Sequence, residues 1–323
     1  MSLERDELWA ETRDGWSLHV TRTWDPAKLD RAQRPLVIVP GYGMNGFIFG
    51  FHPRGTSLEG HLAAAGIEVW TANLRGTGRS RTTRPDAAEP SLRSYAEHDV
   101  GSVIDAVLGK TSTTSDRVDL LGASLGGSIA FAHLARMRPH RVGSVIAVGS
   151  PLRWERVPLM LRVPFLSRRL VGSLRVTGVR RLAERVLPIV RRVPSLLAMY
   201  MNVAHIDLGA ASELVRTVED PHPRVNRDLA SWLRAGDMVL GGVNVTDAMA
   251  SETGALLLVL ANRDGIVPER VASSAARAWG GTDVTTLCIG TDDDWYAHAD
   301  LFVGHEAPRV VFEPIARWLC ARR

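Results

Sequence analysis

Short apolar runs and longer amphipathic stretches take turns along most of the chain. Pro35–Val39, Glu68–Ala72, Arg117–Leu121, Val142–Val148, Leu256–Leu260 and Val284–Ile289 are rich in β-branched and aliphatic residues and are bounded by glycine or polar turn signals. A short run apolar on both faces is the pattern of a strand buried inside a parallel sheet. Between these runs, Leu58–Ala65, Leu92–Leu108, Leu125–Met137, Pro268–Trp279 and Ala307–Leu319 carry helical patterning. The alternation predicts right-handed β-α-β units, that is, an α/β fold with a mostly parallel central sheet and helices on both faces. Residues Glu11–Trp24, interrupted by Asp14-Gly15, predict an antiparallel hairpin instead.

The alternation stops between about Pro151 and Val245. Six prolines from Pro158 to Pro223 and helical spacings such as Leu229, Trp232 and Leu233 occupy this stretch, with no convincing strand. We expect a helical cap at 153–245, inserted into a core made of 1–152 and 246–323. Charge sets the insertion apart as well. From Arg153 to Arg192 there are eleven arginines against Glu155 and Glu184, a local charge of +9, whereas the whole chain carries only +4. The basic character is therefore local. It suits a solvated face, a peripheral contact with an anionic membrane, or attraction of an anionic substrate.

Composition narrows the class without deciding the chemistry. With 45% hydrophobic and 23% charged residues in 323 positions, the chain can bury a large α/β core. The opening "MSLERDELWAETRDGW" lacks the apolar centre of a secretory signal, and no run approaches the roughly 20 residues of a membrane span. A cytoplasmic location is expected. Two cysteines, Cys288 and Cys320, are too few for a disulfide framework or a zinc site. The run Asp292-Asp293-Asp294 has no histidine or cysteine at ligand spacing, and "RGTGRS" lacks the lysine of a phosphate-binding loop. The arginines have no interleaved aromatic platform, so no nucleic-acid partner is expected. Neither metal nor organic cofactor is expected.

The candidate chemistry lies in "DLLGASLGGSIA", where Ser124 stands between Gly122 and Gly126. With 29 glycines in the chain the motif alone decides little, but an apolar strand runs into it and a helical segment runs out. Such a corner exposes the hydroxyl at the carboxyl edge of the sheet, and the N–H of Leu125, at the helix start, points toward a developing oxyanion. A serine needs a base, and the base needs an orienting acid. Asp264 follows the strand in "LLLVLANRDGIVPE", with Glu155 as an alternative acid; His298 lies in "WYAHADLFVG", with His305 as the other histidine of that loop.

These segments, with "VIVPGYGMN" after an early strand and "NLRGTGRS" after the next, resemble the α/β-hydrolase superfamily over nearly the whole chain. "HADLFVG" and "SLEGHLAAAGIEVWTANLRG" look most like acid-lipase and polyhydroxyalkanoate-synthase relatives. The synthases carry cysteine where Ser124 stands, so the resemblance implies hydrolysis rather than polymerisation. It implies a triad of Ser124, Asp264 and His298, and it places a second oxyanion donor at the backbone of Tyr42, where Pro40-Gly41 replaces the usual His-Gly. The implied activity is that of a serine carboxylester hydrolase, a lipase or esterase acting on a small-molecule ester with a hydrophobic acyl group. Met160, Phe165, Met199 and Tyr200 of the cap are candidate pocket residues. Acyl transfer or thioester hydrolysis by the same triad, and non-catalytic acyl binding or membrane docking, remain alternatives.

Overall fold

The computed structural model describes residues 2–163, 165, 177–182, 185 and 197–322. Its strands are β1 (Glu4–Glu11), β2 (Trp16–Trp24), β3 (Leu36–Val39), β4 (Val69–Ala72), β5 (Arg81–Thr82), β6 (Val118–Ala123), β7 (Val142–Val148), β8 (Val239–Leu240), β9 (Val243–Asn244), β10 (Ala255–Ala261) and β11 (Val284–Ile289). All but β8 and β9 form one sheet in the order β1-β2-β4-β3-β6-β7-β10-β11, with β5 paired to β2. Pairing is antiparallel from β1 through β2 to β4 and parallel from β4 onward. Alternate residues of one strand feed two cores. Val37 and Val39 face the helices Val100–Leu108 and Leu125–Arg136, whereas Leu36 and Ile38 face Leu58–Ala64 and Glu313–Cys320. Each such side chain contributes about 1.5–3 kcal/mol by leaving water, and the two-sided apolar patterning of the short runs is thereby explained.

Departures from the expected elements have local causes. The stretch Leu92–Leu108 is helical but contains a π turn at Tyr95–Asp99, which ends on the carboxylate that Arg75 binds. Pro268–Trp279 is two short helices, Glu269–Ala272 and Ser274–Ala278, and the buried Ser274 hydroxyl at the break accepts the Arg153 N–H at 3.0 Å. The last helix starts with a π turn, Pro308–Phe312, just before Pro314, whose missing N–H interrupts the regular ladder. The cap stretch, expected to lack strands, contains the β8–β9 hairpin. Its turn is Gly241-Gly242, both at positive φ, the backbone that a two-residue hairpin turn demands.

Around the cap, the helix Pro223–Ala235 packs Val225, Leu229 and Trp232 into the core. Of the arginines counted as a basic patch, Arg168, Arg169, Arg175, Arg191 and Arg192 lie outside the described residues. Arg180 is not a free charge: it donates to the carbonyls of Val218 and Arg216 and pairs with Glu219 at 3.4 Å. Neither Cys288 nor Cys320 forms a disulfide among the described residues. Among the described residues no helix is long and apolar enough to cross a membrane.

Candidate active site

Strand β6 ends at Ala123, and the helix Leu125–Arg136 begins one residue later. Ser124 makes the corner with φ 53° and ψ −121°, the one positive φ at a non-glycine position among the described residues. Such strain persists only where the surroundings over-determine it. Here the Ser124 N–H is tied to the Val148 carbonyl at 2.8 Å. A Cβ at Gly122 would run into the backbone of Gly127, and one at Gly126 into the carbonyl of Val39. Both glycines are thus required by close backbone approach. Leu125 is the first helical residue, so its N–H has no intrahelical acceptor.

Asp264 and His298 come together from the ends of β10 and β11. His298 Nδ1 lies 2.6 Å from Asp264 Oδ2, with both side chains buried. The other carboxylate oxygen accepts the N–H groups of Ile266 and Val267, each at 2.8 Å. A carboxylate only accepts, so His298 donates through Nδ1 and leaves Nε2 as an acceptor. The imidazole sits against Gly149, where an added Cβ would be 3.1 Å from Cε1. Gly149 follows Val148, the residue that holds the Ser124 N–H, so base and serine share one strand end. Glu155 is engaged elsewhere, by Arg270 and Arg277 at 2.5 and 2.6 Å. The His305 N–H donates to the His205 carbonyl, and its ring Nε2 has no hydrogen-bond partner among the described residues.

Sequence reasoning missed Asp300, two residues after His298. This fully buried carboxylate accepts the N–H of Ala297 at 2.7 Å and that of Asn202 at 2.9 Å, fastening the histidine loop to the cap. Burial raises its pKa to about 6, against about 3.9 in an unfolded chain. The folded state therefore disfavours the charged form, and this group's contribution to stability falls as pH rises from about 4 to about 6. Asp300→Asn removes that titration. In thermal unfolding, the variant's Tm should improve relative to wild type between pH 4 and pH 7; a relative decline over that range contradicts the burial argument.

The loop after β3 passes directly against the serine: a Cβ on Gly41 would be 3.1 Å from the Ser124 Cβ. The next residue, Tyr42, turns its side chain toward the cap, donating its hydroxyl to Asn226 Oδ1 at 2.6 Å and meeting Phe165 edge-on. Further along, Asn45 Nδ2 donates to the Arg216 carbonyl at 3.0 Å and to Glu219 Oε1 at 2.5 Å, while the Glu219 N–H donates to the Gly43 carbonyl at 2.8 Å. The loop that carries the Tyr42 N–H is therefore held by cap residues 216–226.

Beside it lies a cavity of about 30 Å³, walled by Tyr42, Leu74, Tyr95, Leu125, Ile129 and Val225 among others. Of the pocket residues expected in the cap, Phe165 lies instead on a separate cavity of about 770 Å³ between Trp154 and the helix Pro223–Ala235. Met199 and Tyr200 sit on the Asp264–His298 side: the Met199 carbonyl accepts the Gly265 N–H, and the Tyr200 ring is 5.9 Å from that of His298. The Met160 side chain lies outside the described residues.

A family profile for the α/β hydrolase fold matches residues 34–187. The overall shape agrees with a soluble variant of monoglyceride lipase from Saccharomyces cerevisiae, with a TM-score of 0.67 at 12% identity over 99% of this chain and 95% of that one. The chain has the α/β-hydrolase fold. A carboxylesterase from Bacillus subtilis aligns with a TM-score of 0.62 at 15% identity, covering 98% of this chain and 92% of its own. In sequence, a pimeloyl-[acyl-carrier protein] methyl ester esterase from Vibrio campbellii is 28% identical over 274 residues, which is 84% of this chain and 90% of that protein.

Proposed function

We propose that this protein is a serine esterase that cleaves carboxylic esters through an acyl-enzyme. The observation that carries the reading is the buried Asp264–His298 pair, 2.6 Å apart, beside the strained corner that presents Ser124. The names of the sequence relative and of the structural neighbours, esterases and a lipase, support the same reaction class. In this reading Ser124 Oγ attacks the ester carbonyl carbon while His298 Nε2 takes its proton. Asp264 holds the imidazole in the accepting tautomer and stabilises its cation. The N–H groups of Leu125 and Tyr42 receive the oxyanion. Collapse expels the alcohol, which takes the proton from His298; water then repeats the sequence on the acyl-serine and releases the acid. Residues 153–245 act as the cap over this site.

A common acyl-enzyme has a product signature. With added methanol, a phenyl ester and a p-nitrophenyl ester of the same acid should give the same ratio of methyl ester to free acid. Ratios that depend on the leaving group contradict the shared intermediate.

A further inference from the structure

We infer that Asp300 is a positioning residue for His298, and that it works by pinning the histidine loop to residues 199–202 of the cap. The inference rests on the serine-esterase reading above, because it concerns the base of that reaction. It starts from the backbone on either side of His298. The N–H of Ala297, one residue before, donates to Asp300 Oδ2 at 2.7 Å, and the N–H of Ala299, one residue after, donates to the Tyr200 carbonyl at 2.8 Å. Both flanks of the histidine are therefore fixed, and neither bond belongs to a strand or helix ladder.

The same cap residues also hold the acid. The Met199 carbonyl accepts the N–H of Gly265, next to Asp264, at 3.0 Å. The Asn202 N–H is shared by the two Asp300 oxygens at 3.0 and 2.9 Å, and Asn202 Nδ2 donates to the Trp295 carbonyl at 2.8 Å. Residues 199–202 thus splint the loops of acid and base together. Asp300 is the joint of this splint: its Oδ2 accepts one N–H from the histidine loop, that of Ala297, and one from the cap, that of Asn202. The contact of 2.6 Å between His298 Nδ1 and Asp264 Oδ2 requires two loops from different strand ends to stay in register. A misplacement of about 1 Å in such a site costs about a hundredfold in rate.

The loop uses the oxygens of Asp300 rather than its charge. The carboxylate is fully buried, and burial, with Asp264 nearby, opposes ionisation. What the joint needs is an oxygen that accepts from two directions, and the side-chain oxygen of asparagine supplies one. Alanine supplies none, and it leaves the N–H groups of the buried residues Ala297 and Asn202 without an acceptor. Among the described residues Asp300 makes no hydrogen bond to Ser124 or to the loop that carries the Tyr42 N–H. Its loss therefore acts on the base and not on the binding of substrate.

The test compares wild type, Asp300→Ala and Asp300→Asn with p-nitrophenyl acetate, dividing each kcat by the fraction of chains that a fluorophosphonate labels at completion. Unfolded chains do not label, so loss of stability alone leaves the normalised kcat unmoved. Asp300→Ala should lower it about 10- to 100-fold. KM should stay nearly constant, because His298 serves acylation and deacylation alike and both slow together. Asp300→Asn should keep the normalised kcat within about threefold of wild type. The low-field proton resonance of His298 Nδ1–H should be present in wild type and in Asp300→Asn and be lost or moved in Asp300→Ala, which reads the Asp264 contact without any turnover. If Asp300→Ala does not accumulate as folded protein, Asn202→Ala takes its place: it gives up only the side-chain bonds of Asn202, including that to Trp295, and should lower the normalised kcat at least about threefold at constant KM. A normalised kcat equal to wild type in the alanine variant, or a loss in Asp300→Asn as large as that in Asp300→Ala, overturns the positioning role. So does an effect confined to KM. A wild-type chain that shows the resonance yet turns over no ester overturns the serine-esterase reading instead, and the resonance in the two Asp300 variants then decides the role of Asp300 by itself.

Discussion

Ser124→Ala is expected to lower ester turnover by about a millionfold while leaving the fold in place. Alanine keeps everything the corner uses for structure. The backbone N–H still reaches the Val148 carbonyl, and the glycines at 122 and 126 still allow the strand and helix to approach. What disappears is the one atom proposed to form a bond to substrate. The proposed oxyanion donors remain, so a residual acceleration over water of about a thousandfold or more is expected. Steady-state turnover of p-nitrophenyl acetate, read beside a thermal melt, separates the two effects. Turnover within tenfold of wild type at an unchanged Tm contradicts the nucleophile assignment.

Asp264→Asn should cost about 10,000-fold in kcat, and the reason lies in the hydrogen bonds to both carboxylate oxygens. Oδ1 accepts two backbone N–H groups, from Ile266 and Val267. In the amide these two donors select the oxygen, so the NH2 group must face His298 Nδ1. A donor there forces the imidazole proton onto Nε2, and the ring can no longer accept a proton from Ser124. The substitution therefore preserves shape and inverts the tautomer. A loss of less than about a hundredfold would place the orienting acid elsewhere. Glu155 is a poor substitute, because Arg270 and Arg277 already occupy it.

Much of the fold was legible because burial in a parallel sheet writes itself into short apolar runs. Val142–Val148 and Val284–Ile289 match their strands to the residue, and the other four parallel strands differ by a residue or two at either end. The triad candidates were legible for a related reason: strand ends mark the edge of the sheet where side chains can converge. What escaped depends on contacts between distant residues. Asp300 bonds to Asn202, 98 positions away, and Tyr42 to Asn226, 184 positions away; no local pattern announces either. Among the arginines of the basic stretch, one shows what a count of charges leaves out. Counted as charges they form a patch, yet Arg180 spends its donors on Val218, Arg216 and Glu219. The β8–β9 hairpin, by contrast, had a readable signal in Gly241-Gly242 that helical spacing nearby concealed.

Ser124 is the proposed activated nucleophile of this chain with the α/β-hydrolase fold. Incubation with a fluorophosphonate, followed by intact-mass measurement and peptide mapping, tests it most directly, because the reagent bonds only to a serine made nucleophilic by its surroundings. A single adduct per chain is expected, on the peptide containing Ser124, and none in Asp264→Asn on the same timescale. An unmodified wild-type chain, or an adduct on a different serine such as Ser128 or Ser150, would contradict it.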